Sequence, residues 1–144
     1  MDPSLRSGCK NITEVRQVVA ALIRRDGKLL VCQRTRHQPM PLKWEFPGGK
    51  IEPGEEAVSA LVRELDEELG INATIGREIA CVRHQYRSGT SVELHFFLVE
   101  QFEGELENRI FRDIQWSAPK ELLNYEFLEA DLSLVRDLAA GKLL

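Results

Sequence analysis

Three glutamates define the chemistry open to this chain. Glu64, Glu67 and Glu68 stand at i, i+3 and i+4, so on a helix their side chains leave one face, beside an apolar stripe rather than within it. Carboxylates gathered this way repel. Two unit charges about 4 Å apart, at an effective dielectric near 20, oppose each other by roughly 4 kcal/mol. A hard divalent cation removes that cost, because Mg2+ takes oxygen ligands and keeps waters for substrate phosphates. Gly48 and Gly49 precede the helix, where backbone must pass close to something, and Lys50 follows them directly. The competing reading is a solvated acidic face, on which a like-charged i,i+4 pair costs only about a few tenths of a kcal/mol.

The element that must carry these acids spans residues 55–69. Ala57, Val58, Leu61, Val62, Leu65 and Leu69 recur at steps of three and four, which predicts an amphipathic helix. Pro53-Gly54 marks its approach, and Gly70 suits the left-handed position that closes it. Upstream, residues 15–23 and 29–32 are β-branched runs parted by Arg24-Arg25-Asp26-Gly27-Lys28. Asp-Gly between apolar runs predicts a tight hairpin. A polar loop with proline follows over 35–43. Downstream, 74–86 and 91–101 read as strands joined across Arg87-Ser88-Gly89-Thr90, 114–116 as a short strand, and 132–140, stopped by Gly141, as a second helix. Strand pairs interleaved with two helices predict an α+β or α-β-α layered domain.

Composition narrows the function classes. The 144 residues suffice for one ordinary domain, with 1–12 as a loose polar tail and 13–144 as the folded unit. Apolar residues at 43% and charged residues at 29% argue against disorder. Nineteen Lys and Arg against 23 Asp and Glu leave a net charge of −4, which is not how a chain coats a nucleic acid polymer. No run approaches the roughly 18 to 20 apolar residues of a spanning helix, and the opening residues lack an apolar signal core, so no membrane partner is expected. Cys9, Cys32 and Cys81 form no CxxC pair and leave one over. Neither a disulfide framework nor a zinc knot is indicated, and a reduced, cytoplasmic setting is expected. Asn11-Ile12-Thr13 matches a glycosylation acceptor only by chance when no secretion signal accompanies it. His37, His84 and His95 lie at no metal-ligand spacing, His95 reading as a packed or strand-face residue, and Ser59 has no nucleophile elbow around it.

The complete spacing says more. Gly49, five residues, Glu55, seven residues, then Arg63-Glu64-Leu65-Asp66-Glu67-Glu68-Leu69-Gly70-Ile71 fill a pattern of 23 positions. Average residue usage produces it on the order of once in a billion windows. On these residues the chain resembles the Nudix hydrolases. Trp44-Glu45-Phe46-Pro47-Gly48-Gly49-Lys50 looks like the MutT-like branch, which cleaves nucleoside triphosphates, and the resemblance covers roughly residues 14 to 140. It implies an α+β Nudix fold, an α-β-α sandwich around a mixed β-sheet. It also implies metal-dependent hydrolysis of a nucleoside triphosphate substrate to nucleoside monophosphate and pyrophosphate, by a monomer or homodimer. The leading activity is 8-oxo-dGTP diphosphatase, a nucleotide-pool sanitising role in DNA repair. A CTP or 5-methyl-dCTP pyrophosphatase is the alternative, followed by a dinucleoside polyphosphate or ADP-ribose hydrolase, for which no additional sugar-specific motif is found. A nucleotide sensor without catalysis would often have lost acids that this chain keeps.

By the same resemblance, Glu64, Glu67, Glu68 and the Gly48 carbonyl are the ligands of Mg2+, for which Mn2+ can substitute, and Glu64 is the favoured base toward water. Arg63 either orients a catalytic carboxylate or makes a plain surface pair with Glu67. Glu55 supports the loop or the outer shell of the metal. Lys50 either contacts phosphate or is simply exposed. Arg34 matches the place of a nucleotide-contacting arginine, and Arg36 is near enough to exchange roles with it. Phe46 packs on the base or belongs to the core, and Trp44 and Trp116 carry the same two readings. Within Phe127-Leu128-Glu129-Ala130-Asp131, Asp131 either reads the base edge or caps the last helix. MutT proper has Asn there; an ionised Asp only accepts, from guanine N1 and N2 or from cytosine N4. One departure stands out: six residues after Gly104, where several relatives carry an additional glutamate, this chain has Ile110, with Glu107 and Asp113 as the neighbouring acids.

Overall fold

The structure, a computed structural model, describes residues 15–144; the expected tail, Cys9 and the Asn11 triplet lie outside them. In chain order the elements are β1 (Val15–Arg25), β2 (Lys28–Gln33), β3 (Trp44–Glu45), β4 (Gly48–Lys50), α1 (Ala57–Leu69), β5 (Asn72–Thr74), β6 (Glu78–Gln85), β7 (Ser91–Val99), β8 (Gln101–Glu103), β9 (Asp113–Ser117) and α2 (Leu132–Ala139), with 3-10 turns at Pro119–Asn124 and Glu129–Asp131.

The hairpin forms where Asp-Gly predicts it. Asp26 and Gly27 have φ of 53° and 76°, the two positive values that a two-residue turn matched to strand twist requires. Only Arg24↔Leu29 and Arg25↔Lys28 pair across it. Beyond them the strands part. β2 takes β9 and β3 as neighbours, while β1 runs parallel to β7 from Val15↔Ser91 to Ile23↔Val99. β1 also pairs antiparallel with β4 through Val18↔Lys50, Val19↔Gly49 and Ala20↔Gly48. The product is a mixed seven-stranded sheet in the order β9-β2-β1-β7-β6, with β3 on β2 and β4 on β1; β5 and β8 form a separate ribbon.

β1 shows why two helices are needed. Its successive side chains alternate between faces, and both faces are apolar. Val19, Ala21 and Ile23 join Ala60, Leu61, Leu65 and Leu69 of α1 in one core cluster. Ala20 and Leu22 join Leu134, Val135 and Leu138 of α2 in the other. This is the expected α-β-α sandwich around a mixed sheet. α1 starts at Ala57 rather than residue 55, because Glu55 belongs to the preceding turn, where its Oε1 accepts from the Glu52 N–H at 3.0 Å. Gly70 closes the helix at φ 69° with its N–H on the Asp66 carbonyl.

The single strand expected over 74–86 is broken in two. β5 leaves to pair with β8, the Gly76 N–H donates to the Leu98 carbonyl at 2.8 Å, and β6 then begins with a register shift between Glu78 and Ala80. Likewise β7 ends at Val99 before β8 resumes at Gln101. The short strands β3 and β4 have no alternating pattern to announce them, since β4 is held by backbone pairing alone.

Leu65 is fully buried between α1 and the sheet. Leu65→Ala is expected to cost about 2 to 5 kcal/mol in urea unfolding; a loss below about 1 kcal/mol would mean that α1 is not anchored there.

Candidate active site

The site is built around glycines that have no room for a side chain. A Cβ on Gly48 would strike the Val19 carbonyl oxygen, and a Cβ on Gly49 would strike the Glu64 carboxylate. β4 therefore lies directly between β1 and the acidic face of α1. The Gly48 N–H donates to Glu68 Oε1 at 3.3 Å.

Arg63 organises the acids on the helix. Its Nε and Nη2 donate to the two oxygens of Glu55 at 2.8 and 3.0 Å, a forked pair. Nη1 donates to Glu64 Oε2 at 3.2 Å and to Glu67 Oε1 at 3.5 Å, and Nη2 also reaches the Lys50 carbonyl at 3.2 Å. The surface pair with Glu67 thus exists but is the longest of these hydrogen bonds. The hydrogen bonds from Arg63, reinforced by the Glu52 N–H, hold the Glu55 carboxyl down at about 2. The same partnership with Glu55 raises Arg63 above its usual range.

Glu68 is driven the other way. It is 8% exposed, and burial, then hydrogen bonding to and repulsion from Glu64, and then repulsion from Glu45, push it up to about 9. A buried carboxyl set against the half-buried Glu64 is an arrangement that a divalent cation would neutralise. Glu67 is the outlying member, its side chain 58% exposed. The donors gathered here are oxygens, and the Arg63 guanidinium beside them is already forked onto Glu55. That set fits a hard divalent ion held by carboxylates, and not a soft one.

Next to the acids opens a cavity of about 650 Å³. Arg34, Phe46, Lys50, Glu68 and Asp131 all line it, whereas Arg36, Trp44 and Trp116 do not. Arg34 Nη1 pairs with Glu45 Oε1 at 3.0 Å and its Nε donates to the Pro39 carbonyl at 2.9 Å. Burial raises the Glu45 carboxyl and Arg34 opposes that rise. Phe46 satisfies both of its readings: it packs edge-on to Phe96 and tilted against Phe127, and it also faces the cavity. Trp44 packs edge-on to Tyr125 at 4.8 Å, and Trp116 lies 5.9 Å from the Arg25 guanidinium. Lys50 is exposed, with no ion pair to it among the described residues.

Asp131 stands at the cap position of α2 but makes no capping hydrogen bond. It is 3% exposed; burial first, then Glu45, push it up to about 8 against the pull of Arg34. Its carboxyl is therefore neutral at neutral pH. Ile110 lines the cavity, whereas Glu107 pairs with Arg109 at 2.8 Å, Asp113 accepts from Gln115, and neither reaches the cavity wall. Glu45 and Tyr86 are among the lining residues that escape sequence reading. Glu45 is hidden within the Trp44–Lys50 run, and Tyr86 sits at the end of a strand without a motif.

Residues 13–138 match the NUDIX domain. The chain belongs to the Nudix hydrolase family, whose enzymes generally use divalent metal ions. It is 44% identical over 119 residues to the CTP pyrophosphohydrolase of Escherichia coli K12, covering 83% of this chain and 87% of that protein. It is 36% identical over 129 residues to the putative 8-oxo-dGTP diphosphatase 2 of Mycobacterium tuberculosis H37Rv, covering 85% and 86%. The solution structure of the Escherichia coli ORF135 protein matches with a TM-score of 0.83 at 41% identity, over 92% of this chain and 94% of that one. No helix among the described residues is long and apolar enough to cross a membrane.

The raised carboxyls fix a pH dependence. With folded values near 9 for Glu68 and 8 for Asp131, the metal-free protein holds protons that the unfolded chain releases from about pH 4 upward. Their stabilising contribution is complete below that pH and lost as pH rises through 8 and 9. Thermal unfolding in a chelator is expected to fall steadily from pH 6 to pH 9. A divalent ion, which takes the ionised carboxylate, is expected to raise the transition more at pH 9 than at pH 6. A transition equal at both pH values in the chelator would contradict these protonation states.

Proposed function

We propose that this chain is a metal-dependent nucleoside triphosphate diphosphatase, releasing nucleoside monophosphate and pyrophosphate, with 8-oxo-dGTP as its principal substrate and sanitising of the cytoplasmic nucleotide pool as its role. One observation carries the reading: a single cavity of about 650 Å³ is lined both by Glu68, paired with Glu64, and by a largely apolar wall that holds the buried Asp131. Glu68, with Glu64 behind it, would face a polyphosphate, and the wall would face a base. Relatives named 8-oxo-dGTP diphosphatase, matched over more than four fifths of this chain in the mycobacterial case, support the substrate class.

In this reading Glu64, Glu67, Glu68 and the Gly48 carbonyl hold Mg2+, with Mn2+ able to replace it. The ion would neutralise phosphate oxygens and lower the pKa of a bound water. Glu64 takes the proton from the attacking water, as a carboxylate kept in place by Arg63. Glu55 locks the other side of that guanidinium, so that the fork cannot swing toward substrate. Glu67, at the exposed edge, would have to rotate inward from its 3.5 Å contact with Arg63 to join Glu64 and Glu68. Lys50 offers a point charge to the phosphates from the rim. Arg34 positions the nucleotide, Phe46 packs on the base, and Asp131 reads the base edge.

A neutral Asp131 both donates and accepts. Its O–H can reach guanine O6 while its carbonyl accepts from N1–H. The N7–H that oxidation creates on 8-oxoguanine then takes a backbone carbonyl of the wall. The same carboxyl can donate to cytosine N3 and accept from N4–H. That complementarity, with 44% identity to a CTP pyrophosphohydrolase, favours CTP or 5-methyl-dCTP as a second reading.

Comparing kcat/KM for canonical and modified nucleotides at equal Mg2+ tests both. About a hundredfold preference for 8-oxo-dGTP over dGTP supports the first reading, CTP or 5-methyl-dCTP at the head of the panel supports the second, and a flat profile rejects both. Glu64→Gln and Glu67→Gln are each expected to lower turnover at least about a hundredfold with the fold retained, and near-normal turnover in either removes that residue from the mechanism. Asp131→Asn, which keeps donor and acceptor, is expected to stay within about tenfold of the parent. Asp131→Ala loses about 10- to 100-fold in kcat/KM, mainly through KM.

A further inference from the structure

A different set of ligand atoms gathers away from the cavity. Cys81 of β6 lies directly across from His95 of β7, on the sheet face that carries α1 but beyond the cover of that helix. In a regular strand residues three apart point to opposite faces. The register shift between Glu78 and Ala80 cancels that rule and brings Glu78 onto the face of Cys81. One donor atom from each of Glu78, Cys81 and His95 lies within 4.8 Å of the others. None of the three lines the cavity.

The environment of His95 sets which ring nitrogen faces the cluster. Its Nε2 faces Gln17 Oε1 at 2.8 Å, with Glu93 Oε1 at 3.6 Å, and its Nδ1 faces Glu78 Oε2 at 2.9 Å. The Gln17 amide also bonds Glu93, which directs its N–H groups there and its oxygen to the ring. A neutral imidazole has one N–H. With that N–H given to Gln17, Nδ1 is the ring atom turned toward Glu78 and open to a cation. A cation would replace the Nδ1–Glu78 hydrogen bond by coordination to both groups, while Gln17 supplies the outer hydrogen bond that orients metal-bound histidines. Burial, then Glu93 and Glu78, push the Cys81 thiol up; a bound divalent charge counteracts the two carboxylates.

We propose that Glu78, Cys81 and His95 form a second metal site, for a thiophilic divalent ion such as Zn2+, separate from the glutamates of α1. Sulfur, imidazole nitrogen and carboxylate are the three donor types of zinc sites, whereas Mg2+ takes neither of the first two. Tetrahedral bonds of about 2.0 to 2.3 Å place ligands roughly 3.3 to 3.7 Å apart, so side-chain rotation at exposed positions completes the site, and water takes the fourth place.

The test titrates the full chain with Co2+ and Zn2+ in excess Mg2+, which keeps the α1 glutamates filled. One equivalent of Co2+ is expected to produce a thiolate-to-cobalt charge-transfer band that Zn2+ displaces. Cys81→Ser is expected to abolish the band and, like His95→Gln, to weaken Zn2+ binding at least about tenfold, with Mg2+-supported turnover unchanged. Glu78→Gln, at an exposed position, provides the same comparison if either variant fails to fold. A wild-type chain without the band, or a band that persists in Cys81→Ser, overturns the site.

Discussion

Everything in the site depends on two residues that lack a side chain. Gly48 and Gly49 let one stretch of backbone fit between the Val19 carbonyl and the Glu64 carboxylate. Because the gap is no wider than a bare backbone, β4 can pair with β1 and still offer an N–H to Glu68. A wider gap would leave α1 farther from the sheet, and its acids would face bulk water. At that distance the repulsion among them would be screened to little. The close approach is what makes the acids interact strongly.

Within that tight space, carboxyls of one type are set to opposite states. Glu55 shares a fork with Arg63 and stays ionised to about pH 2; Glu68, buried against Glu64, keeps its proton to about pH 9. Both contact the same local structure, yet one has a fixed cation and the other lacks one. A protein that needed only stability would pair both. With Arg63 committed to Glu55, Glu68 has the Gly48 N–H and Glu64 beside it but no fixed cation, which suits it to bind a mobile one in the proposed reaction. The order of effects follows from magnitude, since desolvation outweighs the one weak backbone hydrogen bond that opposes it.

The parts readable in the sequence are those that repeat or that require a special residue type. The stripe of Leu61, Leu65 and Leu69 fixes α1, Asp26-Gly27 fixes the hairpin, and Gly70 ends the helix, because each is a local rule with a local cause. What stays hidden depends on other kinds of information. β4 is a strand by backbone pairing, to which its side chains contribute nothing. Asp131 satisfies the pattern of a cap and of a base reader alike, and the missing capping hydrogen bond is visible only in the fold. Glu78, Cys81 and His95 have no common spacing, because their convergence needs both a strand pairing and the break in parity at Ile79. Glu45 reads as one acid among 23 Asp and Glu until β3 pairs with β2 and brings it to Arg34.

Asp131 shows how burial can override residue type. In water Asp and Asn differ by a full charge, and exchanging one for the other at a base-reading position would change which edge is bound. In the cavity, burial and the negative Glu45 keep the carboxyl protonated to about pH 8, while Arg34 acts against them. The protonated acid presents one donor and one acceptor, the same pair that an amide presents. Arg34 and Glu45 thus set the hydrogen-bonding character of a residue that neither needs to touch. Moving Arg34 off Glu45 toward Asp131 would ionise the carboxyl and leave it accepting only. In the proposed function the choice of base then belongs to the Arg34, Glu45 and Asp131 group as a unit, and the identity of residue 131 alone does not determine it.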